Sequence, residues 1–128
     1  MSEADGAGTE EPPADGAGSA NEVTLEKVGE AFVLRVTGAL DLAVAPKLRR
    51  LIDRVQRLAP SLLVIDLTEV SFLASTGMTE LVRADRLAAS TAVRVVATGR
   101  ITLRPLELAR LTDELVIRPT LSAALDRT

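Results

Sequence analysis

The spacing of apolar and polar positions becomes regular at residue 22. Val23 and Leu25, then Phe32, Leu34 and Val36, alternate with other residues on either side of Gly29, the period of two that predicts a strand hairpin. Gly38 is expected to end the second strand, with a loop running through Asp41. Val44, Leu48, Leu51, Ile52, Val55 and Leu58 then recur every three or four positions with Lys47, Arg49, Arg50, Asp53, Arg54 and Arg57 between them. That spacing predicts an amphipathic helix, with Pro46 in the first turn, where no N–H is needed. After Pro60, Leu62-Leu63-Val64-Ile65 continues to Leu67 with only Asp66 polar, as in a central strand covered on both faces.

The remaining elements are shorter. The pattern predicts a helix from about Thr76 to Ala89 and a strand from Val93 to Ala97. A helix confined or kinked by Pro105 follows within 101–111, then a strand near Leu115 to Ile117 and a last helix near 120–127. Strands alternating with helices imply an α/β fold, a mixed β-sheet with helices packed on it.

Residues 1–21 differ in kind. They are rich in Gly, Ala and Pro, carry Glu3, Asp5, Glu10, Glu11 and Asp15 with no Lys or Arg, and have no large apolar side chain after Met1. Such a segment cannot bury enough surface to offset its ordering entropy, so a disordered acidic tail is expected over 1–21 and one folded domain over 22–128. The five-residue element Ala4–Gly8 recurs as Ala14–Gly18, which is low complexity rather than a fold repeat.

Composition narrows the chemistry. The 128 residues include no Cys and no His, which removes thiolate and imidazole metal sites and every histidine-assisted nucleophile. The two lysines, Lys27 and Lys47, fall in segments that read as solvent-facing. No cofactor and no metal are expected, and the chain does not read as an enzyme. The net charge of −3 conceals a domain of +2, since residues 22–128 hold all 15 basic and 13 of the 18 acidic residues. With that balance and no Trp or Tyr, direct nucleic-acid binding is not expected. No apolar run approaches the roughly 18 residues that span a bilayer, so no membrane association and a cytoplasmic location are expected.

Two stretches carry a resemblance. VTGALDLAVAPKL at 36–48 and VIDLTEVSFLASTGMTEL at 64–81 are similar to the STAS family, specifically its anti-sigma factor antagonists. Members show a Leu-Asp loop before the first helix and a D-L-x-x-V-x-F-x-D-S-[ST]-G stretch before the second, where Asp66, Leu67, Val70, Phe72, Ser75, Thr76 and Gly77 fall at the expected spacing. The resemblance implies a protein that binds an anti-sigma factor with serine kinase activity, frees a sigma factor, and is released when phosphorylated at Ser75, with Thr76 the alternative acceptor. It implies a partner surface including Asp41, Ser75, Thr76, Gly77 and Met78, on a monomer or weak dimer. Ala74 departs from the family's Asp and removes a negative charge beside the acceptor.

Plainer roles exist for the same residues. Ser75 and Thr76 can cap a helix, Gly77 can permit a tight turn, and Asp41 can form an Asx turn that starts the first helix. Asp66 and Glu69 are a carboxylate pair without a nucleophile or metal partner, which favours a turn or cap role. The basic face of the first helix reads as a solvated surface. A STAS scaffold that is never phosphorylated, or an accessory subunit of a lipid-transport ATPase, is the alternative function.

Overall fold

The alternation around Gly29 produces an antiparallel ribbon. In the computed structural model, which describes residues 21–126, β1 (Glu22–Val28) pairs with β2 (Ala31–Leu40) through Val23↔Val36 and Leu25↔Leu34. β2 does not end at Gly38 as the sequence suggests. Gly38 sits at φ +80 within the strand, and the side-chain oxygen of Asn21 occupies the space a Cβ there would fill. Asn21 accepts a hydrogen bond from the Ala39 N–H at 3.0 Å, so this residue, grouped by composition with the tail, is tied to the sheet. Residues 1–20, where the rest of the tail expectation falls, lie outside the described residues, as do Arg127 and Thr128.

α1 (Ala45–Arg57) follows, buries Ala45, Leu48, Ile52 and Val55, and holds Pro46 in its first turn as expected. Leu58, counted on the apolar face by spacing, is the C-cap and is exposed, because Ala59 at φ +50 has already turned the chain out of the helix.

β3 (Leu62–Leu73) is the central strand, and it is longer than its hydrophobic run. Leu62 to Leu67 are all buried, Asp66 included; beyond them only Val70 and Leu73 are, a period of three that matches neither strand nor helix. The register against β2 accounts for it. Arg35↔Asp66 is followed by Thr37↔Glu69, and Gly38↔Val70 by Ala39↔Phe72, so β3 twice supplies an extra residue and bulges. Glu69 therefore lies in the strand, not in a turn, and Phe72 ends 58 % exposed.

Asp66 holds the first bulge. Its Oδ1 accepts from the Thr68 N–H at 2.9 Å and the Thr68 hydroxyl at 2.5 Å, and Arg35 lies 3.6 Å from the other oxygen. Asp66→Asn keeps the acceptor and loses a half-exposed ion pair, so it is expected to cost about 1 kcal/mol or less in urea unfolding. A loss several times larger overturns this role.

α2 (Ser75–Leu87), β4 (Ala92–Val96), a π-helical turn at Gly99–Leu103 running into α3 (Arg104–Leu108), β5 (Val116–Arg118) and α4 (Leu121–Leu125) complete the domain. The wide turn has a local cause. Pro105 has no N–H to continue α-helical bonding, and the Thr102 hydroxyl bridges the N–H and carbonyl of Thr98 at 3.1 and 3.0 Å. β5 starts one residue later than expected, with Leu115 buried just before it. The last helix is five residues long, capped by the Thr120 hydroxyl accepting from the Ala123 N–H at 3.0 Å.

The strands lie in sequence order, β1-β2-β3-β4-β5, parallel except for β1. One face meets α1, α2 and α3 through Leu34, Leu48, Ile52, Leu63, Ile65, Leu81 and Leu106. The other packs Val33, Leu62, Val64 and Val96 against α4 through Ala124. No helix among the described residues is long and apolar enough to cross a membrane.

Candidate functional site

The two stretches singled out in the sequence meet at the carboxyl ends of β2 and β3. Leu40 pairs with Leu73, and the Ala74 N–H donates to the Leu40 carbonyl at 3.0 Å, so Asp41 and Ser75 leave the sheet side by side. Parallel strands that end together bring two loops to one edge, the usual place for recognition in such sheets.

Ser75 is the first residue of α2 and is exposed. It does not cap the helix, and neither does Thr76. Ala74 occupies the N-cap position with extended backbone and no side chain able to accept a hydrogen bond. Its carbonyl receives the N–H groups of Gly77 and Met78 at 3.0 and 3.1 Å, which leaves those of Ser75 and Thr76 as the orphan donors of the first turn. Thr76 differs sharply from its neighbour: its hydroxyl oxygen is buried and has no hydrogen-bond partner.

Gly77 serves close packing rather than a turn. Its backbone is helical, and a Cβ there would stand 2.5 Å from Cγ of Leu40 and 3.0 Å from the Leu40 carbonyl oxygen. The helix can approach the end of β2 only without that atom. Gly77 is itself buried and offers a partner no surface, while Met78 is half-buried against the core.

Asp41 forms the Asx turn. Its Oδ1 accepts from the N–H groups of Ala43 and Val44 at 3.1 and 3.3 Å, and its carbonyl from Val44 and Ala45 at 3.1 and 2.8 Å. It thereby starts α1 and presents the next residue, Leu42, which is 74 % exposed. Asp41→Ala is expected to lower stability by about 1 kcal/mol in thermal unfolding, as loss of a helix-starting side chain does; Asp41→Asn is expected to retain most of it. An unchanged melting temperature for Asp41→Ala contradicts the structural role.

The sequence reading missed the clamp behind the site. Arg83 of α2 reaches Asp53 of α1 at 2.5 Å and Glu80 at 3.3 Å, and the Gln56 amide donates to the Ala84 carbonyl at 2.8 Å. The Glu80-Arg83 spacing of three was a local signal for an ion pair. Its partner on α1, 30 residues away, had none. Beside the clamp, an open groove of about 630 Å³ runs from Ser75 along Met78, Thr79 and Val82 to Leu111.

The comparisons agree with this architecture. The model of the STAS domain family matches residues 22–124, and the chain belongs to that family. Its similar relatives include the anti-sigma-F factor antagonist RsfB of Mycobacterium tuberculosis, 36 % identical over 104 residues, which cover 80 % of this chain and 85 % of the relative. The crystal structure of an anti-sigma factor antagonist from Mycobacterium paratuberculosis superposes with a TM-score of 0.79 at 34 % identity, covering 83 % of this chain and 92 % of that one. The anti-sigma factor antagonist SpoIIAA in its unphosphorylated form shares the fold, with a TM-score of 0.63 at 17 % identity over 80 % of this chain and 91 % of that one.

Proposed function

We propose that this chain is a cytoplasmic anti-sigma factor antagonist that docks on an anti-sigma factor of the serine-kinase type and is released by phosphorylation at Ser75. The observation that carries the reading is the contrast between adjacent hydroxyls. Ser75 is exposed at the head of a helix, whereas the Thr76 oxygen is buried and out of a kinase's reach without local opening. Relatives at 34 and 36 % identity that bear the name of antagonists support the partner class.

Ala74 fits this reading in a specific way. A capping aspartate would accept the first-turn N–H groups and repel an adjacent phosphate. With Ala74, a phosphate on Ser75 finds those N–H groups free and the positive end of the helix dipole unopposed. The modification adds about −1.5 to −2 charges without demanding that the domain unfold. Its effect then falls on whatever binds the edge formed by Asp41, Leu42, Ser75 and Met78.

Affinity capture from the native host with the full chain as bait, followed by incubation with ATP and phosphopeptide mapping, tests this. Capture of an ATPase of the histidine-kinase-like fold together with release of a sigma factor, and phosphate on Ser75, is the expected result. Capture of a transporter ATPase instead, or phosphate found only on Thr76, overturns it.

A further inference from the structure

Arg83 serves two carboxylates at once, Asp53 at 2.5 Å and Glu80 at 3.3 Å, so the contact between α1 and α2 holds one more negative charge than it neutralises. Glu80 is 8 % exposed, and among the described residues Arg83 is its ion-pair partner through one nitrogen. A carboxylate can accept about four hydrogen bonds, and a buried one is costly while those sites stay unfilled.

A cleft of about 250 Å³ lies at Glu80. α1 contributes Ala45, Pro46 and Arg49 to its walls, and α2 contributes Thr76, Thr79 and Glu80. Burial gives it a direction. Ala45, Glu80 and the Thr76 hydroxyl oxygen are buried, whereas Pro46, Arg49 and Thr79 are exposed, which puts the carboxylate at the closed end and Arg49 at the open one. Acceptors dominate that closed end. The Thr79 hydroxyl donates to the Ser75 carbonyl at 3.0 Å and keeps its lone pairs, and the Thr76 hydroxyl has no partner in either role. A helical threonine has two favourable χ1 rotamers, so the latter can turn to meet an incoming donor.

Size then limits the occupant. Small-molecule sites run to roughly 300–1,000 Å³, so this cleft fits a single side chain. Ala45, Pro46 and the threonine methyl groups suit an alkyl stem, and Glu80 suits a cationic head. Leu42 lines the cleft too and stands 74 % exposed in the edge beside Ser75, so a protein that covers that edge also covers the cleft.

We propose that the cleft between α1 and α2 receives one arginine side chain of the protein that docks on the Ser75 edge, with Glu80 as its counter-charge and Thr76 and Thr79 accepting from its several donors. The identity of that protein rests on the antagonist reading; the preference of the cleft for a guanidinium does not.

The test is a titration of the isotope-labelled full chain with N-butylguanidinium, with n-butanol and butyrate as the uncharged and anionic counterparts. The guanidinium is expected to give saturable amide shifts, in the millimolar range, confined to residues 42–49 and 75–80. Glu80→Gln is expected to weaken it at least about tenfold. Because that change also loosens the Arg83 clamp, Thr76→Val is the second variant, equal in shape and expected to weaken binding about threefold. Arg49→Gln removes the competing cation at the open end and is expected to tighten binding about twofold. Equal shifts with butanol, stronger binding of butyrate, shifts centred on Asp66 and Glu69, or no saturation overturns the proposal. So does an affinity that neither Glu80→Gln nor Thr76→Val lowers. None of these results touches the antagonist reading, since no anti-sigma factor takes part.

Discussion

Gly77→Ala is expected to lower the melting temperature of the domain by about 10 °C, although alanine is the better helix former. Two effects oppose each other. Replacing a glycine in the first turn of a helix gains at most about 1 kcal/mol in propensity. Against it, the new Cβ meets Cγ of Leu40 at 2.5 Å, a branch point on a fully buried side chain rather than a mobile tip, and the Leu40 carbonyl at 3.0 Å. Moving α2 away stretches the Ala74 N–H bond to that same carbonyl. Overpacking of this kind costs roughly 1–3 kcal/mol and more where backbone is involved, so a net loss of about 2 kcal/mol is expected, at roughly 4–8 °C per kcal/mol. Leu40→Ala provides the control. Alone it leaves a cavity, but combined with Gly77→Ala the cavity accepts the new methyl, so the two losses are expected to fall short of additive by about 1 kcal/mol. A Gly77→Ala protein that melts no lower than the parent contradicts the packing argument.

The same glycine shows what was and was not legible in the sequence. The S-T-G triplet could be placed at a helix start by spacing, and Gly77 then read as a residue that permits a tight turn. Only the position of Leu40, distant in the chain and brought near by parallel pairing, decides for packing. The helices and strands themselves were legible because period two and period 3.6 are local signals. β3 lost its period after Leu67 because two bulges each shift the phase by one residue, and bulges depend on the partner strand. Asp66 accordingly read as the end of a strand when it is the clasp of a bulge within one. Asp41 was placed correctly in both respects that sequence allows, its loop and its Asx geometry. The Asp53-Arg83 contact between α1 and α2 had no local trace at all.

Ser75→Glu is expected to weaken binding of the cognate anti-sigma factor at least about a hundredfold, or ~2.7 kcal/mol, in isothermal titration. The domain's own stability should move the other way. Ser75 is exposed and makes no cap, and an acidic side chain in the first turn of α2 interacts favourably with the helix dipole by about 0.3–1 kcal/mol. Affinity and melting temperature are thus predicted to change with opposite signs, which a variant that merely damages the fold cannot do. Ser75→Gln separates bulk from charge. It is expected to stay within about tenfold of the parent, since a side chain of that size at the exposed edge displaces water but brings no charge to be desolvated. Salt provides the second separation, because repulsion across a wet interface is screened and the gap between Glu and Gln variants should narrow as ionic strength rises. If Ser75→Glu and Ser75→Gln bind alike at low salt, the edge at Ser75 is not a charge-sensitive docking surface, and the switch must work through some change elsewhere in the domain.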